Sequence, residues 1–219
     1  MVGRAMPIII SCAVLKGGTG KSTVATNLAC AFQLAGNRVL LIDADSQGTA
    51  RQWAATATEN EQDVPPVAAL NGSALRKDVA RLGAGFDLVV IDTPPQIGSE
   101  QRAAMMISDL VLLPVTPGGA DLWALQSSLA VLEEAQSLRP ELKAALILNR
   151  FDKRTTIASA LKRAVKDAGI PILKTTLGQR AVYGEALTVG SSVLQYAPKS
   201  IAAKEIAALA KEISKMVKQ

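Results

Sequence analysis

The apolar residues of this chain come in short unbroken runs rather than in alternation with polar ones. The runs are PIIISCAVL (7–15), RVLLIDAD (38–45), DLVVIDTPP (87–95), DLVLLPVTP (109–117), AALILNRF (144–151) and IPILKTTLG (170–178). A strand with one face in water alternates, whereas a run that is apolar at nearly every position belongs to a strand covered on both faces. Stretches with helical spacing lie between most of the runs, at Lys21 to Ala35, Ala120 to Leu138 and Ile157 to Ala168. Strands alternating with helices predict one α/β domain over residues 1–219, built on a twisted, mostly parallel β-sheet with helices on both faces. In such sheets ligands sit at the carboxyl ends of the strands. The segment ATATENEQDVPPVAAL (55–70) follows neither pattern and reads as a loop, too short to divide two domains. No internal repeat or low-complexity tract interrupts the chain.

The last segment, SIAAKEIAALAKEISKMVKQ, spaces Ile206, Leu209, Ile213 and Met216/Val217 by threes and fours, with Lys and Glu opposite. Such a stripe normally packs on its own domain. The alternative is a membrane-surface helix, but this stripe is rich in alanine and has no aromatic residue.

Composition narrows the chemistry. The 219 residues include no histidine, so histidine triads and histidine-ligated metals are excluded. The two cysteines, Cys12 in a strand-like run and Cys30 in a helix-like one, have no disulfide or metal-ligand spacing and read as inert core. No apolar run approaches the ~18 residues of a membrane span. No signal-peptide pattern precedes the first strand, which predicts a cytoplasmic protein. The net charge of +5 is unevenly placed. Residues 1–149 hold 11 Lys/Arg against 14 Asp/Glu, and residues 150–219 hold 13 against 5. A basic final third suggests a polyanionic partner, nucleic acid or an acidic lipid surface.

The chemistry begins in AVLKGGTGKSTVATNLA (13–29), directly after the first strand and at the start of a helix. Gly17, Gly18 and Gly20 allow a tight turn whose N–H groups, with those of Thr19, Lys21, Ser22 and Thr23, can cradle phosphate oxygens. The helix adds its positive end. Lys21 can reach the β- and γ-phosphates, and the Ser22 hydroxyl is placed to ligate Mg²⁺. The general phosphate-loop pattern asks for glycine at position 15, where this chain has Leu15, followed by an additional lysine, Lys16.

The loop with two lysines resembles the deviant phosphate loop of the ParA/MinD family of ATPases. LLIDADSQGTA (40–50), DLVVIDTPP, LLPVTPGGADLWAL and ILNRFDKRT follow in family order, so the resemblance covers nearly the whole chain. With no helix-turn-helix segment before the loop, the chain resembles the short partition ATPases. The resemblance implies a homodimer that sandwiches ATP, in which Lys16 crosses to the partner's phosphates, like an arginine finger supplied in trans. It implies that Asp45 positions the attacking water and that Asp43 and Asp92 hold Mg²⁺ largely through its waters. It places adenine near Asn149 and Arg150. Where the family usually has proline after the second aspartate, this chain has Ser46.

The expected function is a slow, partner-stimulated ATPase switch that segregates or positions plasmid or chromosomal DNA, or another cargo. Its ATP form would bind DNA without sequence preference, at the nucleoid of a bacterium. A ParB-type centromere-binding protein or another adaptor would release it by stimulating hydrolysis. Candidate phosphate-contacting residues are Lys174, Arg180, Lys199, Lys204, Lys211 and Lys215; only seven aromatic residues exist, too few to suggest base stacking. The alternative is a MinD-like ATPase that docks on a membrane through its C-terminal helix. A third reading, a metabolic kinase or ligase on the same scaffold, lacks any residue signature for a second substrate.

Overall fold

The computed structural model describes residues 6–70, 72–96, 98–152 and 169–218. The first five apolar runs become strands β1 (Ile8–Cys12), β2 (Val39–Asp43), β4 (Leu88–Asp92), β5 (Leu110–Val115) and β6 (Lys143–Leu148). A short edge strand, β3 (Val67–Ala69), completes a six-stranded sheet in the order β3-β2-β4-β1-β5-β6, with every pairing parallel.

The unbroken hydrophobicity of the runs is explained by where alternate residues go. Ile10 and Cys12, Val39 and Leu41, Leu88 and Val90, Leu110 and Leu112, Ala145 and Ile147 all point to one face. There they meet α1 (Lys21–Leu34) and α8 (Ile201–Lys218). Leu40, Ile42, Val89 and Ile91 point to the other face, against α3 (Gly72–Gly83) and α4 (Ser99–Ile107). Val111, Leu113, Leu146 and Leu148 do the same against α5 (Gly119–Leu138). With both faces covered, both sets of alternate positions are apolar apart from Ser11 and the strand-end residues Asp43, Asp92 and Lys143.

Two expectations are corrected. The 55–70 segment is not a loop throughout: α2 (Thr49–Glu59) runs into it and β3 ends it. β3 is only three residues long and follows two prolines, so it displays no period to read. The run at 170–178 does not form a strand; it lies along β6 with one isolated parallel bridge, Leu146 to Ile172. Pro171 has no N–H to give the ladder, and after Leu173 the chain leaves the sheet, returning only at Leu177, which exchanges backbone bonds with Leu148 and Phe151. The helix expected at Ile157 to Ala168 lies outside the described residues.

The C-terminal stripe is occupied by the chain's own core. Ile206, Leu209 and Ile213 are fully buried with α1 residues such as Leu28 and Phe32. Lys143 Nζ donates to the Met216 carbonyl at 2.9 Å and fastens the end of α8 to β6. The two short helices α6 (Val182–Thr188) and α7 (Val193–Tyr196) lead into α8. No helix among the described residues is long and apolar enough to cross a membrane. Cys12 and Cys30 are both buried free thiols, as inert core residues should be.

Candidate functional site

The loop that leaves β1 turns at Gly18 and Gly20, whose φ angles of 76° and 90° lie in the left-handed region that favours glycine. Gly20 is the N-cap of α1, and no side chain caps that helix. The N–H groups of its first turn are therefore left for an anion. Lys21 opens the helix and folds back over the loop, its Nζ donating to the Lys16 carbonyl at 2.7 Å. Burial lowers its pKa, and the carboxylates of Asp92 and Asp45 oppose that shift. The loop is braced from two sides. Ser128 of α5 accepts a hydrogen bond from Leu15 N at 2.9 Å, and Asn149 Nδ2 donates to the Thr19 carbonyl at 2.7 Å.

The carboxylates stand opposite. Asp92 ends β4 in register with both Cys12 of β1 and Asp43 of β2. It is completely buried, and neither carboxylate oxygen has a hydrogen-bond partner among the described residues. Burial pushes its pKa up to about 7; the nearby Ser22 hydroxyl and Lys21 ammonium pull it down, while Asp43 and Asp45 push it up. The same burial, with Asp92 adding to it, raises the Cys12 thiol far out of reactive range. Asp43 is satisfied by backbone: its Oδ1 accepts from Asp45 N at 3.0 Å and its Oδ2 from Arg51 N at 2.9 Å. Asp45, half-buried on the loop after β2, accepts from Gln47 N at 3.0 Å.

These residues fit a divalent ion held together with phosphate. Among the described residues no group of three Asp, Glu, His or Cys could hold a metal alone. A buried, unpartnered carboxylate beside a serine hydroxyl is suited to a hydrated Mg²⁺ that takes its remaining ligands from phosphate and water. Ser22 would be the direct protein ligand, with Asp92 and Asp43 bonding its waters.

Asn149 directly follows β6 and is buried, its Oδ1 accepting from Arg150 N at 2.9 Å. Arg150 takes a left-handed φ of 50°, uncommon for a residue with a side chain. Beside it a cleft of about 590 Å³ is lined by Phe151, Asp152, Gln179 and Glu205, a volume suited to a small organic ligand. The structure thus brings Lys16, Gly17–Thr23, Asp43, Asp45, Asp92, Asn149 and Arg150 to one edge of the sheet.

The basic candidates divide. Lys174, Lys199, Lys204, Lys211 and Lys215 are exposed, the last three in one stripe on the outer side of α8. Arg180 is different: its Nη2 and Nε donate to Glu205 at 2.6 and 3.0 Å. Glu205 also accepts from Gly178 N and from the Tyr183 hydroxyl. The Arg180 charge is committed within the chain. Sequence reading missed Ser128, which looks like any helix serine until α5 meets the loop, and Arg51, whose position eight residues after Asp43 carries no motif.

The chain is similar to known proteins over most of its length. A family profile described as the CobQ/CobB/MinD/ParA nucleotide binding domain matches residues 10–193. The chain is 34% identical over 206 residues to a maintenance of carboxysome distribution protein A from Halothiobacillus neapolitanus, covering 93% of this chain and 95% of that one. It is 28% identical to the chromosome-partitioning ATPase Soj of Thermus thermophilus, covering 96% of both chains. The structure of apo McdA from Cyanthece superposes with a TM-score of 0.76 at 17% identity, covering 95% of this chain and 100% of that one, a likeness of fold.

Proposed function

Because this chain belongs to the CobQ/CobB/MinD/ParA nucleotide-binding family, we propose that it is an ATP-driven switch that positions a cargo by binding DNA without sequence preference in its ATP state. The observation that carries the reading is the pair of lysines on one phosphate loop, with Asp45 held across from them. Lys21 serves the nucleotide of its own chain. A second ammonium, Lys16, adds most when ATP is clamped between two copies, where it neutralises the partner's phosphates as charge shifts in the transition state. Asp45 orients the attacking water. When bound, Mg²⁺ supplies charge neutralisation at the β- and γ-phosphate oxygens.

No described residue near the loop is a strong general base, and phosphoryl transfer depends chiefly on positioning. Hydrolysis is therefore slow until an adaptor completes the site, which suits a timer whose two nucleotide states bind different partners. The relatives are named for both carboxysome distribution and chromosome partitioning. The cargo class follows the adaptor, a ParB-type DNA-binding protein or a protein that coats an assembly. DNA contact falls to the exposed lysines of the basic third, Lys204, Lys211 and Lys215 foremost, and the working location is the bacterial nucleoid.

The test is binding to random-sequence duplex DNA with ATP·Mg²⁺ and then with ADP, across a salt series, alongside light scattering for mass and anionic vesicles as a control. Dimerisation and salt-sensitive DNA binding with ATP alone are expected. Vesicle binding without DNA binding would overturn the reading. Lys16→Ala is expected to retain ATP but to lose dimerisation and hydrolysis; wild-type rates in that variant would remove the trans role.

A further inference from the structure

Residues 45–48 form a β-turn. Gly48 N donates to the Asp45 carbonyl at 3.0 Å, and Gly48 takes a left-handed φ of 71°. The turn carries Asp45, so whatever fixes the turn fixes that carboxylate. Arg51, in the first turn of α2, holds it from three directions. Its backbone N–H donates to Asp43 Oδ2 at 2.9 Å, and its Nε stands 3.6 Å from the same oxygen. Its Nη2 donates to the Ser46 carbonyl at 3.3 Å and reaches the Asp45 carbonyl at 3.5 Å. The guanidinium also covers Gly48, where a Cβ would stand only 2.7 Å from Nη2 and 3.1 Å from Cζ.

We propose that Arg51 is a positioning residue for hydrolysis, its guanidinium clamping the 45–48 turn against Asp43 and so fixing the Asp45 carboxylate. The proposal rests on the reading of Asp45 given above. A planar fork can bridge a carboxylate and two carbonyls at once, which a point charge cannot. The clamp has a clear purpose in this chain. Ser46 occupies the second position of the turn, where proline would preset φ and stiffen the backbone. Serine leaves that torsion free, and the guanidinium restrains the turn from outside. The Arg51 side chain is 47% exposed, so its loss opens no hole in the core.

The experiment compares ATP turnover, affinity for a fluorescent ATP analogue and thermal midpoint for wild type, Asp45→Asn, Arg51→Ala, Arg51→Lys, and Arg51→Ala combined with Ser46→Pro. Arg51→Ala is expected to lower kcat by roughly tenfold with nucleotide affinity changed by less than about twofold, the split produced by losing an interaction used only in the transition state. Arg51→Lys recovers a minor part of the rate, and the added Ser46→Pro recovers most of it. Wild-type turnover in Arg51→Ala, beside an inactive Asp45→Asn, overturns the clamp and leaves the Asp45 reading intact. So does a double variant as slow as Arg51→Ala, or a rate loss that only follows lost affinity or a lowered midpoint. Wild-type turnover in Asp45→Asn overturns the Asp45 reading itself, and the clamp with it.

Discussion

The side-chain amide of Asn149 lies so close to the α-carbon of Gly20 that a Cβ on that glycine would overlap Nδ2. The same nitrogen donates to the carbonyl of Thr19 at 2.7 Å. The residue directly after β6 therefore supports the phosphate loop that follows β1, two strands away in the sheet, and it does so only because position 20 has no side chain.

Gly20→Ala should consequently fail twice, through a left-handed φ of 90° and through displacement of Asn149. Each effect costs roughly 1–3 kcal/mol, so nucleotide affinity is expected to fall by about a hundredfold. Asn149→Ala, which removes the brace without straining the backbone, should lose about tenfold. Calorimetric titration with ATP·Mg²⁺ ranks the two, and equal losses would count against the brace.

Asp92 gives a pH signature. Its folded pKa of about 7 stands above the value for an exposed aspartate, so the native state keeps a proton that the unfolded chain releases. Its contribution is fully present below pH ~4 and is lost progressively as pH rises through ~7. The nucleotide-free protein should therefore lose stability across that window. Asp92→Asn should flatten the trend and raise the urea midpoint at pH 8 while abolishing Mg²⁺-dependent hydrolysis. A midpoint at pH 8 equal to wild type would contradict the cost assigned to the buried carboxylate.

Ile206 distinguishes a packed helix from a membrane helix. It is fully buried against α1, and Ile206→Ala is expected to destabilise the chain by about 2–5 kcal/mol in urea unfolding without nucleotide or lipid. A change within ~0.5 kcal/mol would mean that the stripe is free in solution.

Lys211 and Lys215 are exposed on the opposite side of the same helix. Reversing both to glutamate should weaken DNA binding for every sequence and reduce the slope of log affinity against log salt by about two. ATP turnover without DNA should stay unchanged. An unaltered salt slope would move the DNA face elsewhere.

What was legible in the sequence is what depends on neighbours along the chain. Five strands could be read because residues alternating between two covered faces are nearly all apolar, from Ile8 through Leu148. The phosphate loop could be read because glycine, lysine and serine act there through adjacent backbone atoms. The three-residue strand β3 and the run broken by Pro171 were misread because neither is long enough, or regular enough, to carry a period.

The rest was decided by contacts between distant segments. Nothing local marks Ser128 as a support for Leu15, Asn149 as a brace under Thr19, or Arg51 as a clamp on the turn after Asp45. The pairing of Arg180 with Glu205 removes a charge that looks free along the chain. Asp92 is an ordinary strand-end aspartate until β1 and β2 close on it and exclude water. Local order follows from side-chain pattern and backbone freedom, whereas burial, pKa and partner choice arise only once the sheet has assembled.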